Sequence, residues 1–280
     1  MGIRRFILVA ALLFGAFLPP TAIAGSSGAA LRFHGSPALA VTDLGRWKKV
    51  QDGLELRRMT LERSQPRQVV SVHLVRFDSQ WMIPHIVYGR RYNLNGADVK
   101  TLAEKSGAVA AINGNYFDEK GKPLGYLKAL AQKLNSRVSN SALFTGIFGV
   151  KNRQPFIVHR DRFDPQETDE GLQAGPLLLS AGQPLNVTRG ADKRSRRALI
   201  GTDTSGRWII AVVDSVLGGL AWAEIQELFA SAQWEIRAVE LLNLDGGGSA
   251  QLYVKSAAVE EYVPGRSPVP VAVGFFPKER

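Results

Sequence analysis

The segment Leu242-Asn243-Leu244-Asp245-Gly246-Gly247-Gly248-Ser249 delivers an apolar run into a carboxylate, three glycines and a hydroxyl. Three glycines cost more backbone entropy than a plain turn needs. The pattern therefore points to close approach of a ligand to the main chain, or to a row of N–H groups around an anion. On that reading Asp245 is a catalytic carboxylate, and Gly246, Gly247, Gly248 and Ser249 line the binding surface; the simpler alternative is a tight turn capped by Asp245. No lysine follows the glycines as in a Walker loop, the dinucleotide spacing is missing, and Ser249 does not sit in a Gly-x-Ser-x-Gly elbow.

A second segment, Ala111-Ile112-Asn113-Gly114-Asn115-Tyr116-Phe117-Asp118, presents two carboxamides around a glycine. Asn113 and Asn115 suit sugar hydroxyls or phosphate oxygens, although Asn-Gly is also a common hairpin turn. Arg196 and Arg197 precede an apolar strand, where side chains alternate, so one guanidinium should face an anionic ligand and its neighbour solvent. Asp214 ends a strand and Glu224 lies in the following helix. Together with Asp245 they would form a carboxylate set able to supply proton donor and base or nucleophile for glycosidic chemistry. Taken singly, Asp214 reads equally well as a strand-end cap and Glu224 as a surface-helix residue.

The four histidines, 34, 73, 85 and 159, form no HExxH or close ligand spacing, and no metal ligand is assigned. Asp245 with Asp214 and backbone carbonyls is the one arrangement that would suit calcium or magnesium, without EF-hand spacing. The 280 residues contain no cysteine, which excludes disulfides, thiol nucleophiles and thiolate metal sites. Thirty-five Lys and Arg against 25 Asp and Glu favour anionic partners. Phosphate-containing glycans or glycoconjugates and lipid headgroups fit; nucleic acid fits least, because no dense basic helix, zinc-finger spacing or RNP-like strand is present. The one dense basic cluster, Lys193-Arg194 with Arg196-Arg197, reads by itself as a solvated loop.

The elements that must position these groups begin after an N-terminal leader. Arg4 and Arg5 precede the apolar run Phe6 to Leu18, and the stretch to Ala24 ends in a small-x-small pattern, so residues 1–24 read as a secretory signal. Cleavage there would leave 256 residues and lower the formal charge from +10 to +8. The expected location is outside the cytoplasm, a bacterial periplasm first, with no spanning segment in the mature chain. Residues 25–45, rich in Gly, Ser and Ala, read as a flexible lead-in, and residues 46–280 as one domain. Period-two runs predict strands at Gly53–Leu61, Val69–Phe77, Gly146–Val150, Phe156–His159, Arg197–Thr202 and Trp208–Val213. Helices are expected at Asp98–Ser106 and Ala221–Ala230, and Asp161–Gly171 and Glu260–Pro268 read as loops, the first a surface excursion or a flap. The class is α+β: a single domain with a mixed, strand-rich central sheet and a few packed helices.

Four segments together resemble the phosphodiester glycosidase family: Ala111 to Phe117, Gln173-Ala174-Gly175-Pro176-Leu177-Leu178, Arg196-Arg197-Ala198-Leu199-Ile200-Gly201, and Asn243 to Ser249. The resemblance covers about residues 100 to 276. It implies an α/β domain that cleaves a sugar 1-phosphodiester on the sugar side, with Asn113 and Asn115 positioning sugar or phosphate, Arg196 or Arg197 on phosphate, and Asp245 with Ser249 in the central loop. The Asn115-Tyr116 spelling departs from the Gly-Phe-Phe form of many members. The resulting expectation is an exported hydrolase. Its rivals are a noncatalytic binding protein for anionic envelope glycan and a structural interaction module.

Overall fold

The computed structural model describes residues 31–130 and 132–278. The leader expected at 1–24 lies outside them, as do residues 25–30. Every strand pairing among the described residues is antiparallel, in three sheets. The α+β class stands, while the strands, expected to mix directions in one central sheet, are antiparallel throughout: hairpins such as Leu54–Arg63 with Gln68–Phe77 are joined side by side by pairings between strands far apart in sequence, such as Gln68–Phe77 with Trp208–Asp214.

The largest sheet has ten strands. At its centre Leu54–Arg63, Gln68–Phe77, Trp208–Asp214, Arg197–Asp203, Ala238–Asn243 and Leu177–Ser180 lie side by side in that order. Both faces of this centre are buried, which explains why Trp208–Asp214 reads as a nearly continuous apolar run. Ile209, Ala211 and Val213 point to one side, against helix α2 (Trp222–Ala230). Trp208, Ile210 and Val212 point to the other side, into a core shared with the two five-stranded sheets. One of these holds Gly146–Lys151, Glu170–Ala174 and Leu127–Ala129; the other holds Leu252–Lys255, Ala110–Asn113, Val271–Pro277 and Met82–Tyr88. Helix α1 (Val99–Ser106) covers the last sheet, its Val99, Leu102 and Ala103 packing on Ala111 and Tyr253. The Asp98 carboxylate accepts from the Thr101 N–H at 2.7 Å, and Gly107 closes the helix at φ +79°, as expected from the Asp and Gly flanking that run.

Two expected loops are structured. Leu31–Arg32 and Leu39–Asp43 are strands at the edge of the large sheet, with Phe33, Leu39 and Val41 buried and Phe33 stacked on Trp234 at 5.1 Å. The described part of the expected lead-in is thus not flexible, because a three-residue apolar run in a Gly- and Ser-rich context acquires its strand character from the partner Leu54–Arg63. Likewise Glu260–Val263 pairs with Leu252–Lys255. In the acidic stretch 161–171, Glu170 is buried and ties the His85 ring and the Ile86 N–H, both at 2.7 Å. The stretch joins two sheets away from the cavity described next.

Candidate active site

The strands Ala110–Asn113 and Ala238–Asn243 come from different sheets and end at the same place. Asn113 is fully buried there; its Nδ2 donates to the Asp245 carbonyl at 2.7 Å and its Oδ1 accepts from the Gln251 N–H at 3.0 Å. The Asp245 N–H donates to the Gly114 carbonyl at 3.0 Å. On the other side, the Leu244 N–H reaches the Ala198 carbonyl at 2.8 Å and the Gly247 N–H the Arg196 carbonyl at 2.9 Å. The glycine loop is therefore laced to the Asn113-Gly114 strand end on one flank and to the Arg196–Ala198 segment on the other.

The three glycines have reasons internal to the chain. Gly247 sits at φ +59°, where a side chain is strained. A Cβ on Gly246 would lie 2.9 Å from the Arg196 carbonyl oxygen, and one on Gly248 would lie 3.0 Å from the Ser267 hydroxyl. Gly246 and Gly247 also line a cavity of about 350 Å³, whereas Gly248 faces the 266–267 loop.

Asp245 and Arg197 share that cavity, with Tyr116, Trp222, Arg189 and Lys193. Burial pushes the Asp245 carboxyl up to about 6, against the opposing pull of hydrogen bonds from the Ser249 hydroxyl and the Gly246 N–H. Burial, with the nearby Asp245 charge, also pushes the Tyr116 phenol upward, so it stays protonated. Its hydroxyl donates to the Gly175 carbonyl at 3.0 Å and accepts from Asn243 Nδ2 at 3.0 Å. Arg197 is lowered to about 10 by burial and remains a cation at neutral pH. Its central carbon lies 3.4 Å from the Trp222 ring centroid, and its Nε donates to the Leu220 carbonyl at 3.3 Å. Among the described residues no carboxylate pairs with it. The cavity thus offers one carboxylate of tuned basicity, a neutral phenol, an aromatic face and three cations.

Other expected site residues are placed elsewhere. Arg196 does not face solvent as alternation suggested. It is buried, its Nε 2.7 Å from the Asp214 carboxylate and its other end on the Pro264 carbonyl at 2.8 Å. Asp214 is thereby engaged by Arg196 and is not among the described residues that line the cavity with Asp245. Glu224 is buried in the first turn of α2, with one oxygen 2.9 Å from each of the Arg63 Nη2 and the Ala221 N–H and the other on Ser36. Burial alone would raise its carboxyl, but the Arg63, Ala221 and Ser36 hydrogen bonds outweigh it and hold it below the usual range. That is the chemistry of a structural anchor. Asn115 is buried with Nδ2 on the Tyr116 carbonyl at 3.0 Å and its Oδ1 unpartnered.

A family model described as phosphodiester glycosidase matches residues 106–276, more than half of the sequence. The chain belongs to the phosphodiester glycosidase family. All four segments that carried the resemblance fall within this span and converge: Tyr116, the Gly175 carbonyl beneath its hydroxyl, Arg197 and Asp245. Among solved structures, this phosphodiester glycosidase domain is similar to the catalytic domain of zebrafish N-acetylglucosamine-1-phosphodiester alpha-N-acetylglucosaminidase, auto-inhibited by pro-peptide. The TM-score is 0.59 at 19% identity, covering 86% of this chain and 88% of that one. A hypothetical protein from Synechocystis gives a TM-score of 0.59 at 16% identity, covering 84% of this chain and 64% of that one. At such identities the likeness concerns the fold. No curated protein matched by sequence. Within the phosphodiester glycosidase cavity, Trp222, Arg189, Ser195 and Leu143 are lining residues that no sequence pattern marked, and Lys193 stood in a cluster that read as a solvated loop.

Proposed function

We propose that this protein is an exported hydrolase that cleaves the sugar-side bond of a sugar 1-phosphodiester in a glycan or glycoconjugate. The observation that carries the proposal is the pairing, in one cavity, of Asp245 at about 6 with the uncompensated cation Arg197.

In this reading the phosphodiester lies against Arg197, with Lys193 and Arg189 adding positive charge, and the sugar ring faces the Asp245 wall. The bond from the anomeric carbon to the phosphate oxygen breaks and its electron pair leaves on phosphate, where the cations stabilise it. A departing phosphomonoester is a good enough leaving group to need no proton, so a lining in which Asp245 is the one carboxylate among the described residues is consistent with the chemistry. Asp245 removes a proton from the water that attacks the anomeric carbon. A carboxylate near 6 is largely ionised at neutral pH and still basic enough for that role. Tyr116, fixed by Asn243 and Gly175, is close enough to feel both charges.

The test is hydrolysis of α- and β-linked sugar 1-phosphodiesters in ¹⁸O-labelled water by wild type and Asp245→Asn. Free sugar carrying the label, an unlabelled phosphomonoester and an inactive variant are expected. Label in the phosphate, or no turnover across the panel by folded protein, would overturn the proposal.

A further inference from the structure

The two most exposed large hydrophobic side chains among the described residues are neighbours, Val216 at 84% and Leu217 at 72%. They top the loop that joins strand Trp208–Asp214 to α2. Water-facing aliphatics on a mobile loop would fold inward, but this backbone is held. The Ser215 hydroxyl lies 2.9 Å from the Val69 carbonyl and 3.1 Å from the Leu217 carbonyl, and accepts from Gln68 Nε2 at 2.9 Å. The Arg266 guanidinium donates to the Val216 carbonyl at 3.1 Å. At the loop's end Gly219 is pressed against the Ser195 main chain, where a Cβ would fall 2.0 Å from the carbonyl oxygen. Ser195 lines the catalytic cavity, so the apolar tip is anchored to the cavity wall.

Around the tip and the cavity edge stand the exposed cations Arg189, Lys193, Arg194 and Arg266. The nearby acids are few: Asp214 is paired with Arg196, buried Glu224 takes Arg194 at 3.4 Å, Asp245 lies within the cavity, and Asp192 is exposed in the basic segment, which leaves Arg189, Lys193 and Arg266 without a carboxylate partner among the described residues. Protruding aliphatics within a ring of cations match the boundary between acyl chains and anionic headgroups. A two-fold contact with a second copy would set these cations against themselves.

We propose that this edge seats the cavity on an anionic lipid surface, and that the sugar 1-phosphodiester it takes is lipid-linked. The substrate half rests on the hydrolase reading above; the surface contact stands independently of it. Cosedimentation of residues 25–280, the chain expected after leader cleavage, with vesicles of phosphatidylcholine, with and without one-third phosphatidylglycerol, tests the contact. The wild type should partition on the order of tenfold or more in favour of the anionic vesicles, with the preference fading in high salt. Val216→Ser/Leu217→Ser, with an unchanged melting temperature, should lose about tenfold of that partitioning. Equal partitioning by wild type and variant, or none by either, would overturn the contact.

Methyl and dodecyl diesters of one sugar 1-phosphate, the dodecyl ester carried in the anionic vesicles, test the substrate class. The variant should match wild type on the methyl ester and fall about tenfold behind on the dodecyl ester. Equal rates on both would overturn the lipid-linked assignment while leaving the hydrolase reading in place. Turnover of neither ester by the wild type would overturn the hydrolase reading and the lipid-linked assignment with it, and the vesicle arm would still decide the contact.

Discussion

The Arg197 guanidinium carbon lies 3.4 Å from the centroid of the Trp222 ring, inside a cavity that Asp245 also lines. The ring holds the cation in place while no carboxylate among the described residues neutralises it. Arg197→Lys keeps the charge but loses the planar fork and the stacking, and should lower kcat/KM by about 10²–10³. Trp222→Leu should cost about tenfold through misplacement of Arg197. Steady-state kinetics on a turned-over diester measure both, and an Arg197→Lys enzyme within twofold of wild type would remove Arg197 from its role.

Asp245 acts as a base in its ionised form, so kcat/KM should rise with pH through about 6 and level off above it. Asp245→Asn should lose at least about 10³-fold and show no such limb. A profile that instead falls as pH rises through this range would require a protonated Asp245 and a different mechanism.

The same burial makes Asp245 a cost to stability. Its folded value, about 6, lies above the ordinary 3.8, so the native state binds the proton more tightly than the unfolded chain. Stability contributed by this group is complete below 3.8 and falls as pH rises to about 6. At pH 7.5 Asp245→Asn should therefore be more stable, by up to about 3 kcal/mol, and at pH 3.5 the difference should vanish. Thermal or denaturant unfolding at the two pH values reads this directly.

Glu224→Gln separates structural from catalytic carboxylates. Arg63 would keep its charge in a buried site without a counter-charge, and stability should fall by about 3 kcal/mol. Turnover by the folded fraction should stay within about threefold of wild type, because Glu224 does not line the cavity. A loss of kcat beyond a hundredfold with normal stability would restore Glu224 to the reaction.

One carboxylate acting through water predicts a single displacement, hence inversion at the anomeric carbon. Proton NMR of the first-formed sugar, before mutarotation, assigns the anomer. Retention would make Asp245 the nucleophile of a covalent intermediate.

Local signals were sufficient for much of the molecule. The Gln68–Phe77 and Trp208–Asp214 strands, the helix bounded by Asp98 and Gly107, and the strand–carboxylate–glycine run at Asp245 are set by residues within a turn or two of one another. Period, cap and glycine chemistry act at that range, so the sequence alone carried them, and with them the resemblance to the family. The strand Leu39–Asp43, next to the sheet edge, escaped that reading because its pairing partner Leu54–Arg63 lies about twenty residues away. Tertiary structure decided which charges remain available. Arg196 and Arg197 are adjacent in sequence, yet one finds Asp214 and the Pro264 carbonyl while the other finds Trp222 and the cavity. Glu224 reads as a helix-surface carboxylate until Arg63, distant in sequence, arrives to neutralise it in the core. An ionisable side chain's role depends on its desolvation and its nearest counter-charge, and both come from segments that meet only when the sheets close around one core.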